Sequence, residues 1–212
     1  MSDLYRRRLI PDECLHLKND HIIHISKDII VTKWNTIHPK AEFSHGISMY
    51  CLNEGWKISK FFTSENKLKY IVGKEQLIQS CDSEKIARAI SAMSLKRGVV
   101  SNVLLEVNIG GEESKGGFLY EDAEAAYRFV RALQNIRPCG FMAMLPAGIG
   151  EEDGGAMVKK MRALLDKMKA NDADMSVLSM GMSGDYENAI REGATLVRIG
   201  TAIYGERDYS KK

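Results

Sequence analysis

The chain has 212 residues, 44% of them hydrophobic and 27% charged, with a formal net charge of +2 at pH 7. That composition suits one large or two small globular domains with a real core. A charge so near neutrality leaves no footprint for nucleic acid or for an acidic membrane surface. Cys14, Cys51, Cys81 and Cys139 lie far apart with no CxxC pair, so they read as isolated reduced thiols rather than zinc ligands. The N-terminus is basic but carries no apolar stretch of signal-peptide length, and no run is long enough to span a membrane, so a cytoplasmic location is the expectation.

In chain order, the first 65 or so residues hold β-branched and aromatic stretches, "HIIHISKDIIVTKWNTI" and "GISMYCLNEGWKISKFF", broken by Asn, Pro and Gly turns. With no helix between them, they predict a small antiparallel β segment. A boundary falls near 64–73, without a long linker, and divides the chain into 1–65 and 66–212. From there strands and amphipathic helices alternate. The predicted strands are 76–81, 102–110, 138–145, 175–183 and 195–203; the predicted helices are 82–98, 120–136, 153–171 and 185–193. Asp82 or Ser83 suits the N-cap of the first helix and Gly193 closes the last. Five βα units in succession predict an α/β fold: a partial (β/α)8 barrel of the TIM type, made of its last five units.

In a parallel βα array the ligand side is at the C-terminal ends of the strands, and the last two loops of a (β/α)8 barrel commonly bind phosphate. Met182, Ser183 and Gly184 stand at one such end, and Gly200 and Thr201 stand at the next. The Ser183 and Thr201 hydroxyls, with amides near Gly184 and Gly200, would donate to one phosphate. Ordinary turn residues would look the same, and the acidic Asp185 beside them counts against an anion. Arg198, inside "LVRIG", shares a face with Gly200 and opposes Val197 and Ile199. Buried between apolar residues it needs a partner. That partner is either a barrel carboxylate such as Glu106 or a ligand whose ring nitrogen a permanent guanidinium would hold unprotonated.

The stretches "NKLKYIVGKEQLIQSCDS", "LLEVNIGGEESKGGF", "GFMAM" and "LSMGMSGDYENAIREGATLVRIGTAIYGERDY" resemble the YggS/PROSC family of pyridoxal phosphate homeostasis proteins, whose fold is like the N-terminal barrel domain of alanine racemase. The resemblance implies a pyridoxal 5′-phosphate site and a cofactor carrier or regulator rather than an enzyme. Ser183, Gly200 and Thr201 would bind the phosphate, with Met182 beside them, and Arg198 would face the pyridine nitrogen. Lys115 matches a lysine in the family's "NSKSG" loop, where a position after the strand leaves it less fixed. The family's Schiff-base lysine, in a first-strand motif like "LVAVSKT", has no counterpart here, and three barrel strands are missing. Lys27, in "IHISKDII", has the wrong spacing to replace it.

The N-terminal part, beginning "LYRRRLIPDECLHLKNDHIIHISKDIIV", instead resembles the start of the FomD-like nucleotide phosphohydrolases. There Arg6, Arg7 and Arg8 would serve phosphate recognition, although a solvated charge run is the more usual role. The metal-holding carboxylates of that family lie beyond the point where this chain departs from it. The chain thus reads as a fusion of two incomplete domains. It predicts a pyridoxal phosphate binder impaired by loss of the lysine, against a metal-dependent nucleotide hydrolase or a chimera with neither activity. Open barrel edges would favour self-association.

Overall fold

The computed structural model describes residues 22–26, 29–32, 49–51, 59–60 and 68–198. Three short strands, β1 (Ile22–Ser26), β2 (Ile29–Thr32) and β3 (Met49–Cys51), form an antiparallel sheet in that order, with Ile23 opposite Val31 and Ile30 opposite Tyr50. This is the antiparallel element that the turn-rich β pattern predicts.

The second sheet is parallel throughout. It comprises β4 (Ser59–Lys60), β5 (Leu77–Cys81), β6 (Ser101–Asn108), β7 (Phe118–Leu119), β8 (Ile136–Ala143), β9 (Val177–Met182) and β10 (Leu196–Arg198), in the order β10-β9-β8-β6-β5-β4, with β7 alongside β6. Helices α1 (Leu68–Ile71), α2 (Glu84–Arg97), α3 (Ala123–Arg131), α4 (Glu151–Lys169) and α5 (Tyr186–Arg191) fill the crossovers. The alternation makes a partial (β/α)8 barrel. Its parallel pairing begins upstream of the expected division at 65/66, because Ser59 and Lys60 pair with Leu77 and Ile78. At the other end of the path, β3 comes within contact range of β10.

Local chemistry sets the element ends. Ser83 caps α2, its Oγ accepting from the Ile86 amide at 3.4 Å. Gly98 closes the same helix at φ 65°, its N–H reaching Leu95 O while the Val99 N–H reaches Ser94 O. The helix expected over 120–136 is shorter, a 3₁₀ turn at Tyr120–Asp122 followed by α3. Between α3 and β8 stands Asn135, whose φ is 56° and whose side chain donates to Val99 O at 3.0 Å. The left-handed residue turns the chain directly into β8 at Ile136. In α4, Glu151, Glu152 and Asp153 fill the first turn, and Lys167 and Lys169 the last, so the charges oppose the helix dipole.

The convex face of the parallel sheet is mostly apolar, with one buried hydroxyl pair between Ser101 of β6 and Ser94 of α2 at 2.8 Å. Ile78, Val103, Leu105, Phe141, Leu178 and Met180 form one core with Ile86, Ile90, Val130, Val158, Met161 and Leu165 of the helices. Gly140 is what lets β9 approach β8: a Cβ there would lie 1.8 Å from Val177 O, and its φ is 153°. Among the described residues no helix is long and apolar enough to cross a membrane.

Candidate functional site

The concave face is built differently. Its deep end is a separate apolar cluster of Leu77, Leu104 and Met142, with Val177 packed against it. Side chains alternate along a strand, so two residues further toward the C-terminal ends the same face carries Gln79, Glu106 and Ser179. Arg198 follows Leu196 in the same way on β10. All four are buried, between 0 and 6% exposed. A polar layer thus lies above an apolar floor, on the side where the βα loops open.

Three of the four hold one another. Ser179 Oγ donates to Gln79 Oε1 at 2.6 Å. One terminal nitrogen of Arg198 donates to Ser179 O at 2.9 Å and to Ser179 Oγ at 2.7 Å, and the other donates to Ala143 O at 2.9 Å. The guanidinium therefore ties β10 to β9 and β8. Burial pulls its pKa down to about 10, against the opposing pull of Glu106 and Asp185, so it stays charged at neutral pH. An ion pair between Arg198 and Glu106, one of the two partners considered for the arginine, is not formed. No Arg198 nitrogen lies within 4.0 Å of a Glu106 oxygen among the described residues, and backbone carbonyls and a hydroxyl take its place. Glu106 is pushed up to about 7, first by burial and then by Asp82, with Arg198 pulling the other way. The buried Cys81 thiol is pushed far up by burial and by the Asp82 and Glu106 carboxylates, so it is inert as a nucleophile.

The loops above this layer are fixed by short-range hydrogen bonds. After β6, Asn108 Nδ2 donates to Glu112 O at 2.7 Å and to Lys115 O at 3.2 Å, while the Glu112 amide donates back to Asn108 Oδ1 at 3.2 Å. Lys115 is therefore more firmly placed than its loop position suggests. Its Nζ donates to Glu112 Oε1 at 2.5 Å and to Leu145 O at 3.4 Å, bridging the ends of β6 and β8. After β9, the Asp185 amide donates to Met182 O at 3.1 Å and the Asp185 carboxylate accepts from the Met182 N–H. That tight turn leaves Met182 exposed and Ser183 half-buried. It also leaves open space where a Cβ on Gly184 would stand. The carboxylate that counts against an anion is thereby engaged with the backbone.

Of the residues expected at the site, Arg198, Ser183, Met182 and Lys115 thus gather at the C-terminal ends of β6, β8, β9 and β10. Gly200, Thr201 and Lys27 lie outside the described residues, as do Arg6, Arg7 and Arg8. Gln79 and Ser179 are additional. Their signal is a polar residue two places after an apolar one inside the buried runs "LIQSC" and "VLSMG", the pattern that singles out Arg198. Among the described residues no three His, Cys, Asp or Glu side chains gather to hold a metal ion.

A family described as the alanine racemase N-terminal domain matches residues 54–208. The chain belongs to that family. The match begins within the N-terminal stretch and takes in β4, consistent with the parallel pairing seen there. A pyridoxal phosphate homeostasis protein of Aquifex aeolicus (strain VF5) is 42% identical over 145 residues, 68% of this chain and 64% of that protein. One of Caenorhabditis elegans is 31% identical over 188 residues, 84% of this chain and 77% of that protein. The chain thus spans less than two thirds of the length of the Aquifex relative. Among solved structures, PipY of Synechococcus elongatus PCC7942 with PLP bound is similar at 25% identity and a TM-score of 0.59, covering 68% of each chain.

Proposed function

We propose that this chain binds pyridoxal 5′-phosphate on the concave face at the C-terminal ends of β6 to β10, and that it holds the cofactor rather than using it catalytically. The observation that carries this reading is the buried Arg198 guanidinium, a permanent cation fixed by Ser179 and Ala143 in a layer that opens toward the Ser183 turn. The donor set suits a phosphorylated heterocycle. Arg198 offers a cation to the ring nitrogen and so keeps that nitrogen unprotonated. Ser183 and the open backbone at Gly184 suit the phosphate, and Gly200 and Thr201, from the sequence, complete the cup. Met182 adds an apolar side chain at the end of β9, and Lys115 follows β6 at the same end of the sheet. When bound, the group supplies an aldehyde that captures amines. The reading extends to a cytoplasmic protein that self-associates through the edges of its partial barrel.

Spectroscopic titration of the full chain with pyridoxal phosphate is the direct test, alongside Ser183→Asp. A carboxylate at 183 sets a like charge against the phosphate, and affinity should fall by more than the ~5-fold that one lost hydrogen bond would cause. Equal binding by both proteins removes the turn from the site. Borohydride reduction followed by peptide mapping should leave no single lysine stoichiometrically labelled. A label confined to Lys27 would mean that the N-terminal segment supplies the missing first strand.

A further inference from the structure

On the concave face Gln79, Ser179 and Arg198 are bound together, and Glu106 stands apart. It is 6% exposed, and among the described residues no hydrogen bond or ion pair reaches its carboxyl group. Its direction follows from its own strand: Val103, Leu105 and Val107 belong to the convex core, while Leu104 belongs to the concave floor. The charged and titratable groups that act on it are Asp82, just past the end of β5, and Arg198 from β10; Cys81 of β5 is coupled to it as well. Arg198 does not come within ion-pair distance, because its terminal nitrogens are directed at Ser179 and Ala143.

A buried carboxyl group without a hydrogen-bond partner destabilises a fold. Among the described residues the rest of this layer is paired, and Glu106 lies on the face where the βα loops open, so it is the group of this layer that a bound ligand would meet unpaired. We propose that Glu106 is a ligand-contacting residue of the concave site, and that it takes up a proton from solution as the phosphorylated ring settles over it. The inference rests on the pyridoxal phosphate reading and adds a residue to that site.

The sign of the proton movement follows from charge. A ligand on this face expels water from around the carboxyl and brings a phosphate anion near it, and both favour the neutral acid. Arg198 favours the ionised form, but its attraction is present with or without ligand. As a neutral acid, Glu106 becomes a hydrogen-bond donor, and the ring presents oxygen and nitrogen acceptors to it. The group stands near its midpoint at about pH 7 before ligand arrives, so uptake on binding is largest just above that pH.

The test compares the full chain with Glu106→Gln and Glu106→Leu, each first shown to melt cooperatively. Pyridoxal phosphate is titrated calorimetrically at about pH 7.5 in two buffers of different ionisation enthalpy, which reads proton uptake directly. The wild-type chain should take up a large fraction of a proton more than Glu106→Gln, and the ligand's own titration cancels in that difference. Between about pH 7 and pH 8 its affinity should fall by up to ~10-fold relative to that variant. Glu106→Leu should bind several-fold more weakly at pH 6.5 as well, roughly the value of one lost hydrogen bond. Equal proton uptake in wild type and Glu106→Gln, with binding intact, overturns the inference and leaves the cofactor site standing. Wild-type affinity in Glu106→Leu also overturns it. If the wild-type chain fails to bind pyridoxal phosphate, the site reading falls and the inference falls with it.

Discussion

On β6 alone, Val103, Leu105 and Val107 face a layer of helices while Leu104 and Glu106 face the other way. The same division holds on β5, with Ile78 against Leu77 and Gln79, and on β9, with Leu178 and Met180 against Val177 and Ser179. The convex face is finished within the chain, because the apolar stripes of α2, α3 and α4 cover it. The concave face is finished only at its deep end, where Leu77, Leu104 and Met142 meet. Above them polar groups are buried among themselves, and among the described residues one carboxyl group is left over. Two faces made by the same strands therefore differ in what completes them. Folding suffices for the one, and on the proposed reading a ligand completes the other.

The largest effect should come where both faces depend on one residue. Gly140 lies between Cys139, which packs with the concave floor, and Phe141, which is buried in the convex core. A methyl group added there meets Val177 O at 1.8 Å, so β9 must move away from β8. Gly140→Ala should lose the cooperative thermal transition altogether, because the 140/177, 141/178 and 142/179 pairings fail together. A variant that melts within a few degrees of wild type would show that the two strands are not held as close as described.

How much of this was legible in the sequence differs between the faces. The convex face was plain, since apolar runs alternating with amphipathic helices leave little choice but a covered parallel sheet. Residue type narrowed the cap of α2 to Asp82 or Ser83, and Ser83 fills it. On the concave face, Arg198 stood out because a charge between Val197 and Ile199 is conspicuous, whereas Gln79 and Ser179 are small departures in buried strands and passed as strand content. The partner of Arg198 was not legible at all, because carbonyls of β8 and β9 come into reach only through tertiary pairing. Strand β4 escaped for a related reason. Two residues have no periodicity, and its parallel pairing with β5 is made by the sheet rather than by local preference.

Glu106 sharpens the comparison through stability as well as binding. Its carboxyl titrates near 4.5 as an unperturbed group and near 7 in the fold. Between those values the folded chain holds a proton that the unfolded chain has lost. The contribution of Glu106 to stability is therefore highest at low pH, declines as pH rises from about 4.5 to about 7, and then levels off. The total is on the order of 3 kcal/mol. Urea unfolding of wild type and Glu106→Gln at about pH 5 and about pH 8 measures it, because other titrating groups cancel between the two. Relative to the variant, the wild-type chain should lose stability between those two pH values. A difference that stays constant would mean that Glu106 is solvated, and would take away the contrast between a closed and an unfinished face.

The smallest effect is expected on the outer surface of the helices that cover the convex side, where several ion pairs lie. Arg191 of α5 reaches Glu151 at the start of α4 at 2.8 Å, with the two side chains 60% and 73% exposed. The geometry is good and the pair joins two helices, so contact alone would suggest a clamp. Solvent argues otherwise: both groups remain hydrated, and ordering two long side chains offsets most of the attraction. Arg191→Gln should cost less than about 1 kcal/mol, and the cost should shrink further in ~0.5 M salt, where the screening length is a few ångströms. Thermal melts of both proteins at low and high salt provide the measurement. A salt-insensitive loss would mean that Arg191 acts by packing its stem and by its 3.4 Å contact with Asn188, and that the helix layer gains part of its cohesion from polar side chains at its rim.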